Sequence, residues 1–200
     1  MLVFDGMKPQ NLFYDVLSSH ENNYWNAPLR ILFAILFMWV ITAGTAHAQT
    51  NIGELNPAQY FDFWVGTWEL TWEDADGSTA YGSNHIEKIL GGNVIKENFK
   101  ASSGSYKGFV GKSFSVYNPR TEKWKQTWVD NEGGYLDFTG VVEGNKRIFK
   151  REGVNQEGEK ILQRMVFYDI TETSFTWDWQ ISEDNGQTWQ LRWRIFYVRV

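Results

Sequence analysis

The sequence predicts an all-β protein, a single antiparallel up-and-down β-barrel of about ten strands entered through a short N-terminal helix. Three observations carry that expectation. Aromatic residues make up 17% of the chain and include 11 tryptophans, side chains that favour pleated, half-buried surfaces. Downstream of residue 63, apolar and polar residues alternate with a period of two between short clusters of Gly, Asn and Asp, the pattern of half-buried strands joined by tight turns. No helical run interrupts that series, so the long crossovers that parallel strands require are missing. A meander of hairpins remains, and closing it on itself removes its exposed edges.

The elements follow in order. Asn56-Pro57 supplies an N-cap and a first-turn proline, opening a short helix within a lead-in segment, 49–62. The barrel domain then spans 63–200. Trp64, Trp68 and Trp72 alternate with Val65, Thr67, Glu69 and Thr71 in the first strand, which stops at Asp76-Gly77. Further strands are expected over 79–90, 94–101, 108–117, 124–130, 135–143, 146–152, 161–169, 174–182 and 188–200. Trp25 and Trp39 precede the lead-in, which leaves nine of the 11 tryptophans, all expected inside strands. Phe175, Trp177, Trp179 and Ile181 are expected to share one face, and Trp189, Leu191, Trp193, Ile195 and Tyr197 another. Asp178, Gln180, Gln190, Arg192 and Arg194 take the opposite sides.

Ahead of the barrel, Arg30 precedes an apolar run over 31–43, and Ala46-His47-Ala48 fits the small-x-small rule for signal peptidase. Residues 1–48 therefore read as a signal region, with a start assigned too far upstream, cleaved before Gln49 to release a periplasmic or secreted protein. The run is shorter than the roughly 20 apolar residues of a stable membrane span. An uncleaved signal anchor is the alternative. Cleavage would remove Lys8 and Arg30 with Asp5, Asp15 and Glu21, leaving 17 basic and 21 acidic residues of the original 19 and 24.

Several function classes are disfavoured. The chain carries a formal net charge of −5 and no Lys/Arg run, which speaks against a nucleic-acid partner. It has no cysteine, so disulfides, thiolate catalysis, thiolate metal sites and a lipobox anchor are excluded. Downstream of residue 48 the sole histidine is His85, read as a strand histidine with a local hydrogen bond. No metal site and no cofactor are expected.

Gly66-Thr67-Trp68, on the first strand after a short helix, resembles the G-x-W signature of lipocalins and their calycin relatives. A longer order of motifs supports it: Phe61-Asp62-Phe63-Trp64-Val65-Gly66-Thr67-Trp68-Glu69, Gly82-Ser83-Asn84, Gly91-Gly92-Asn93-Val94-Ile95-Lys96-Glu97, then Lys125-Gln126-Thr127-Trp128-Val129-Asp130. Together they look like a bacterial family of exported, lipocalin-like barrels that carries no agreed activity. The resemblance implies a barrel of the lipocalin or fatty-acid-binding-protein kind. It also implies that Trp68 closes one end beneath an arginine of the last strand, Arg194 or Arg199. Ten-stranded haem barrels of the nitrobindin type share a similar element but ligate iron through a late histidine, and no histidine follows position 85 here. Ser182-Glu183-Asp184-Asn185-Gly186-Gln187-Thr188-Trp189 is similar to the Asp-box of sialidase-type propellers. Occurring once, it reads as a structural hairpin: Asp184 caps the turn, Gly186 takes the left-handed conformation and Trp189 folds beneath.

Site candidates are polar groups on aromatic faces. Trp124, Gln126, Trp128 and Asp130 alternate on one face of the fifth strand, and Glu97 shares its face with Ile95 and Phe99. Gly111, Ser113 and Ser115 form a small-residue face that leaves room for a ligand or for the tryptophans opposite. A buried carboxylate must be paired or change its pKa. One reading is a satisfied internal network, with Arg147, Arg164 or an inward lysine as the cation. The other is that Glu97, Gln126, Asp130 and Ser113 orient a small apolar or aromatic molecule stacked on Trp128. The alternatives to such a binding module are an enzyme with Glu97 or Asp130 as general base (isomerase- or cyclase-like), and an envelope interaction protein without a lumen site.

Overall fold

The computed structural model describes residues 52–200. The signal region, its cleavage point before Gln49 and the start of the lead-in lie outside the described residues. From Ile52 onward the chain makes three short 3-10 turns, Ile52–Glu54, Pro57–Gln59 and Asp62–Trp64, in place of one helix. Asn56 caps the second, its side chain accepting from the Ala58 amide, and Pro57 follows at the first position. Turns this short leave Trp64 in the last of them rather than in a strand.

Ten strands follow: β1 (Gly66–Glu73), β2 (Thr79–Ile89), β3 (Val94–Ala101), β4 (Val110–Asn118), β5 (Lys123–Asp130), β6 (Tyr135–Glu143), β7 (Lys146–Val154), β8 (Lys160–Tyr168), β9 (Ser174–Ser182) and β10 (Gln190–Arg199). Each pairs antiparallel with its sequence neighbours, and β10 returns to β1 to close the barrel. The closing register sets Trp68 opposite Arg199 and Leu70 opposite Tyr197. The predicted all-β, up-and-down barrel is thus the observed architecture. Among the described residues no helix is long and apolar enough to cross a membrane.

The inner face carries a continuous aromatic core, densest at the end where the chain enters. Phe61 stacks on Phe149 with centroids 4.3 Å apart and meets Trp124 edge-on at 5.1 Å. Trp64 abuts Phe167 at 5.2 Å, Trp68 abuts Phe175 at 4.8 Å, and Phe175 stacks on Tyr197 at 4.2 Å. Each such pair adds about 0.5–1.5 kcal/mol beyond the area it buries. The Trp124 indole also donates to the Pro57 carbonyl at 2.8 Å, fastening the lead-in turns across this end. A barrel of ten strands is wider than the eight whose interior side chains alone fill, and the large ring count meets that demand.

One register differs from the two-residue rhythm. A β-bulge between Leu191 and Trp193 shifts the pairing of β10 with β9. The extra residue reverses the facing of what precedes it. Trp193, Ile195 and Tyr197 pack on the core, whereas Leu191 is exposed and Trp189 sits in the preceding turn, with the Arg164 guanidinium 3.8 Å over its ring.

Candidate functional site

Midway along the barrel, neighbouring strands turn short polar side chains inward from one side. Glu97 on β3 is 5% exposed and pairs directly with Ser113 on β4. Its Oε2 accepts from Ser113 Oγ at 2.6 Å, and its Oε1 from Asn84 Nδ2, on β2, at 2.6 Å. Gln126 on β5 donates to Ser115 Oγ at 3.0 Å and to Ser113 Oγ at 3.4 Å. Tyr197 closes the group from β10, its hydroxyl oxygen accepting from Asn84 at 3.4 Å. All six residues are buried. Two acceptors, Asn84 Oδ1 and Gln126 Oε1, are buried without a partner.

Among the described residues no cation pairs with this group. The ion pairs among the described residues are Lys88–Asp62, Lys96–Glu87, Lys160–Glu152 and Arg194–Asp178. Burial therefore pushes the Glu97 carboxyl up to about 7, against the opposing pull of the Ser113 and Asn84 hydrogen bonds. Burial, and then the charge of Glu97, likewise raise the Tyr197 hydroxyl. The two arginines considered as partners sit elsewhere. Arg147 donates to the carbonyls of Tyr60 and Asn145 at the lead-in end, and Arg164 donates to Gln180 beside Trp189. Arg164 lies an odd number of residues from the inward-facing Gln163, Met165 and Phe167 of β8, so it takes the outer face.

Toward the far end, aromatic rings line the inner face and remain partly exposed. Trp128 lies 6.1 Å from Phe99 and 6.2 Å from Phe109. Trp193 touches Trp177 at 5.9 Å and stacks on Tyr106 at 4.6 Å, and Trp179 meets Phe138 at 6.1 Å. These partly buried rings pack against the core without being sealed in it. Arg151 of β7 lies among them in the strand's alternation, hydrogen-bonded to Gln163 of β8. Trp128 is held from two sides. Its indole donates to Asp130 Oδ2 at 2.9 Å, and a Cβ on Gly111 would fall 2.0 Å from its ring. The other Asp130 oxygen accepts from the amides of Glu132 and Gly134 at 3.0 and 2.8 Å. Asp130 thus has both oxygens committed, one to the turn and one to the indole.

At the lead-in end Arg199 lies over Trp68, its guanidinium carbon 4.1 Å from the ring centroid. It donates to the carbonyls of Glu172 at 2.7 Å, Val65 at 2.9 Å and Phe63 at 3.3 Å. A Cβ on Gly66 would fall 2.0 Å from its Nη1, and Gly66 has φ +150°, so only glycine fits beneath the guanidinium. Arg194 instead faces outward and grips Asp178 with Nε at 2.7 Å and Nη2 at 2.8 Å.

The hairpin between β9 and β10 is closed by its own side chains. Asp184 accepts from the Thr188 amide at 2.9 Å and from Ser182 Oγ at 2.7 Å, while Ser182 Oγ accepts from the Gly186 amide at 2.8 Å. Gly186 has φ +89°. These bonds hold the Asp184 carboxyl down to about 2, with the Thr188 hydroxyl the largest cause. His85 is exposed on the outer face, with Thr67 Oγ1 3.1 Å from its Nδ1. Sequence reasoning passed over Asn84 and Tyr197 as site residues, and over Trp179 and Trp193. Their inward parity was visible, but neither their depth nor the bulge was.

Fold and site together define a closed ten-stranded antiparallel barrel with one buried carboxyl in a polar ladder below a partly open aromatic end. No protein family and no curated protein matches the chain. Among solved structures, a redesigned β-barrel is similar to it at 14% identity and a TM-score of 0.35, with 72% of this chain and 96% of that one covered.

Proposed function

We propose that the chain is an exported binding protein that takes a small aromatic or apolar molecule into the far end of its lumen. The observation that carries this reading is the set of inward but incompletely buried rings, Trp128, Trp177, Trp179 and Trp193. Apolar surface left open inside a concave wall is the usual lining of a small-molecule site, with a few polar groups to orient the ligand. Asn84 Oδ1 and Gln126 Oε1, buried and without donors, supply such polarity, and a ligand hydroxyl would satisfy either one. Export is supported by the apolar run over 31–43 and by Ala46-His47-Ala48. N-terminal sequencing of the cell-free or periplasmic fraction tests it: a start at Gln49 is expected, and an intact Met1 would refute it.

Binding is tested by titrating the full chain with N-phenyl-1-naphthylamine, a neutral aromatic probe that brightens in apolar surroundings. Saturable emission is expected, weakened about threefold to tenfold in Trp179→Ala and Trp193→Ala by the loss of ring contacts. Unsaturable emission, or affinity unchanged in both variants, would sink the reading. One observation favours a second reading, general acid–base catalysis: the buried Glu97 carboxyl sits at about 7, where a catalytic acid or base works best. That reading requires turnover of a bound phenol or carbonyl compound that disappears in Glu97→Gln while ligand binding persists.

A further inference from the structure

A second concavity lies at the opposite end of the barrel, where the lead-in turns meet the turn between β8 and β9. It is a cleft of about 330 Å³, with Tyr60, Phe63 and Ile170 among its walls and with Arg147, Arg199 and Asp62 among its polar groups. That volume falls within the range of about 300–1,000 Å³ typical of small-molecule sites. None of these residues belongs to the lumen site above.

Among the described residues neither arginine of this cleft is in an ion pair. Arg147 is only 3% exposed, yet among the described residues no carboxylate pairs with it. Its guanidinium carbon lies 5.2 Å from the Phe63 ring centroid, and among the described residues its hydrogen-bond partners are backbone carbonyls, Tyr60 at 3.2 Å and Asn145 at 3.0 Å. A guanidinium offers five N–H donors in a planar fork, so three remain after those two bonds. Burial weakens its hold on its charge, and an anion would reverse that penalty. Arg199 brings a second cation to the same cleft, three of its donors also spent on carbonyls. Two carboxylates also line the cleft, but neither is bonded to the arginines. Asp62 is paired through Oδ2 with Lys88 at 2.8 Å, while its Oδ1 is buried without a donor. Glu172, also on the cleft wall, has an exposed side chain.

We infer that this cleft is a second binding site, for a small aromatic carboxylate that also carries a hydrogen-bond donor. The carboxylate is held by the Arg147 fork with Arg199 behind it, the ring lies against Phe63 and Ile170, and the donor satisfies Asp62 Oδ1. Buried guanidinium groups bind planar carboxylates through paired charge-assisted bonds, and the rings and Ile170 supply the apolar remainder. The site is independent of any ligand in the lumen.

The test is an ¹H–¹⁵N NMR titration of the full chain with 4-hydroxybenzoate and, separately, with 4-hydroxybenzamide. The two differ in charge and hardly in shape. The expected result is saturable shifts at the amides of Tyr60, Phe63 and Thr171, with the amide analogue about tenfold or more weaker. Arg147→Met should abolish the shifts while the Trp128 and Trp179 signals stay in place. The comparison of the two probes stands even if that variant fails to fold. Equal affinity for both probes, or shifts confined to Trp128 and Trp179, would overturn the proposal. The second outcome would leave the lumen reading intact. A failure of the naphthylamine titration would not bear on this cleft.

Discussion

Replacing Glu97 by glutamine should leave the barrel unchanged near pH 4 and make it more stable near pH 8. The carboxyl is buried, is bonded only to Asn84 and Ser113, and has its pKa raised from 4.5 to about 7. Below the unfolded value it is neutral in both states and costs nothing. As pH rises from there, the unfolded chain ionises while the folded chain keeps its proton, so stability falls. The loss is complete once pH passes the folded value. The interval corresponds to about 3 kcal/mol, a large fraction of the 5–15 kcal/mol typical of a domain. Glutamine keeps both bonds, its oxygen accepting from Asn84 and its amide donating to Ser113, and it cannot ionise. Urea unfolding of both proteins from about pH 4 to about pH 8 should therefore show a gap that opens with pH, to about 3 kcal/mol in favour of the variant. A gap independent of pH, or a variant less stable throughout, would refute the claim that this carboxyl is buried without a cation.

Further outcomes follow from three individual residues. Gly111→Ala places a Cβ 2.0 Å from the Trp128 ring and should cost about 1–3 kcal/mol by overpacking, read by urea unfolding with a shift of tryptophan emission. Arg199→Ala removes the stack on Trp68 and three bonds to carbonyls, which should cost about 3 kcal/mol in thermal unfolding. Arg199→Lys should recover less than half, because an ammonium lacks the planar fork. Asp184→Ala should speed hydrogen exchange at the Thr188 amide, whose acceptor it removes, while the melting temperature stays nearly unchanged because the hairpin is exposed.

The fold was legible because an alternation of rings and polar groups fixes which face of each strand is buried, and the turns between strands are short. Trp68, Trp72, Phe175 and Tyr197 follow that rhythm into the core. The rhythm fails where the backbone changes period. The bulge in β10 displaces Leu191 and leaves Trp189 in the turn, and nothing in residues 188–194 marks the extra residue. The lead-in misleads for a related reason. Asn56-Pro57 signals a helical start correctly, but the aromatic rings that follow are drawn down onto Phe149 and Phe167, so the helical path breaks into single turns.

Parity along a strand tells which face a side chain takes, but not how deep it lies, and depth decides what a charged group can do. Glu97 and Asp130 both alternate with inward aromatics. Glu97 falls mid-strand, where only neighbouring strands can answer it, and stays without a cation. Asp130 falls at the last residue of β5, where the amides of the following turn take it. Arg147 likewise shares its side with Phe149, yet it lies one residue from the start of β7 and belongs to the lead-in end. The same logic ranks the rings as ligand platforms. Trp128 is locked by Asp130 and by the missing side chain of Gly111, so little of its freedom would be lost if the proposed ligand stacked on it. A preorganised ring of this kind turns more of its contact area into affinity than a mobile one.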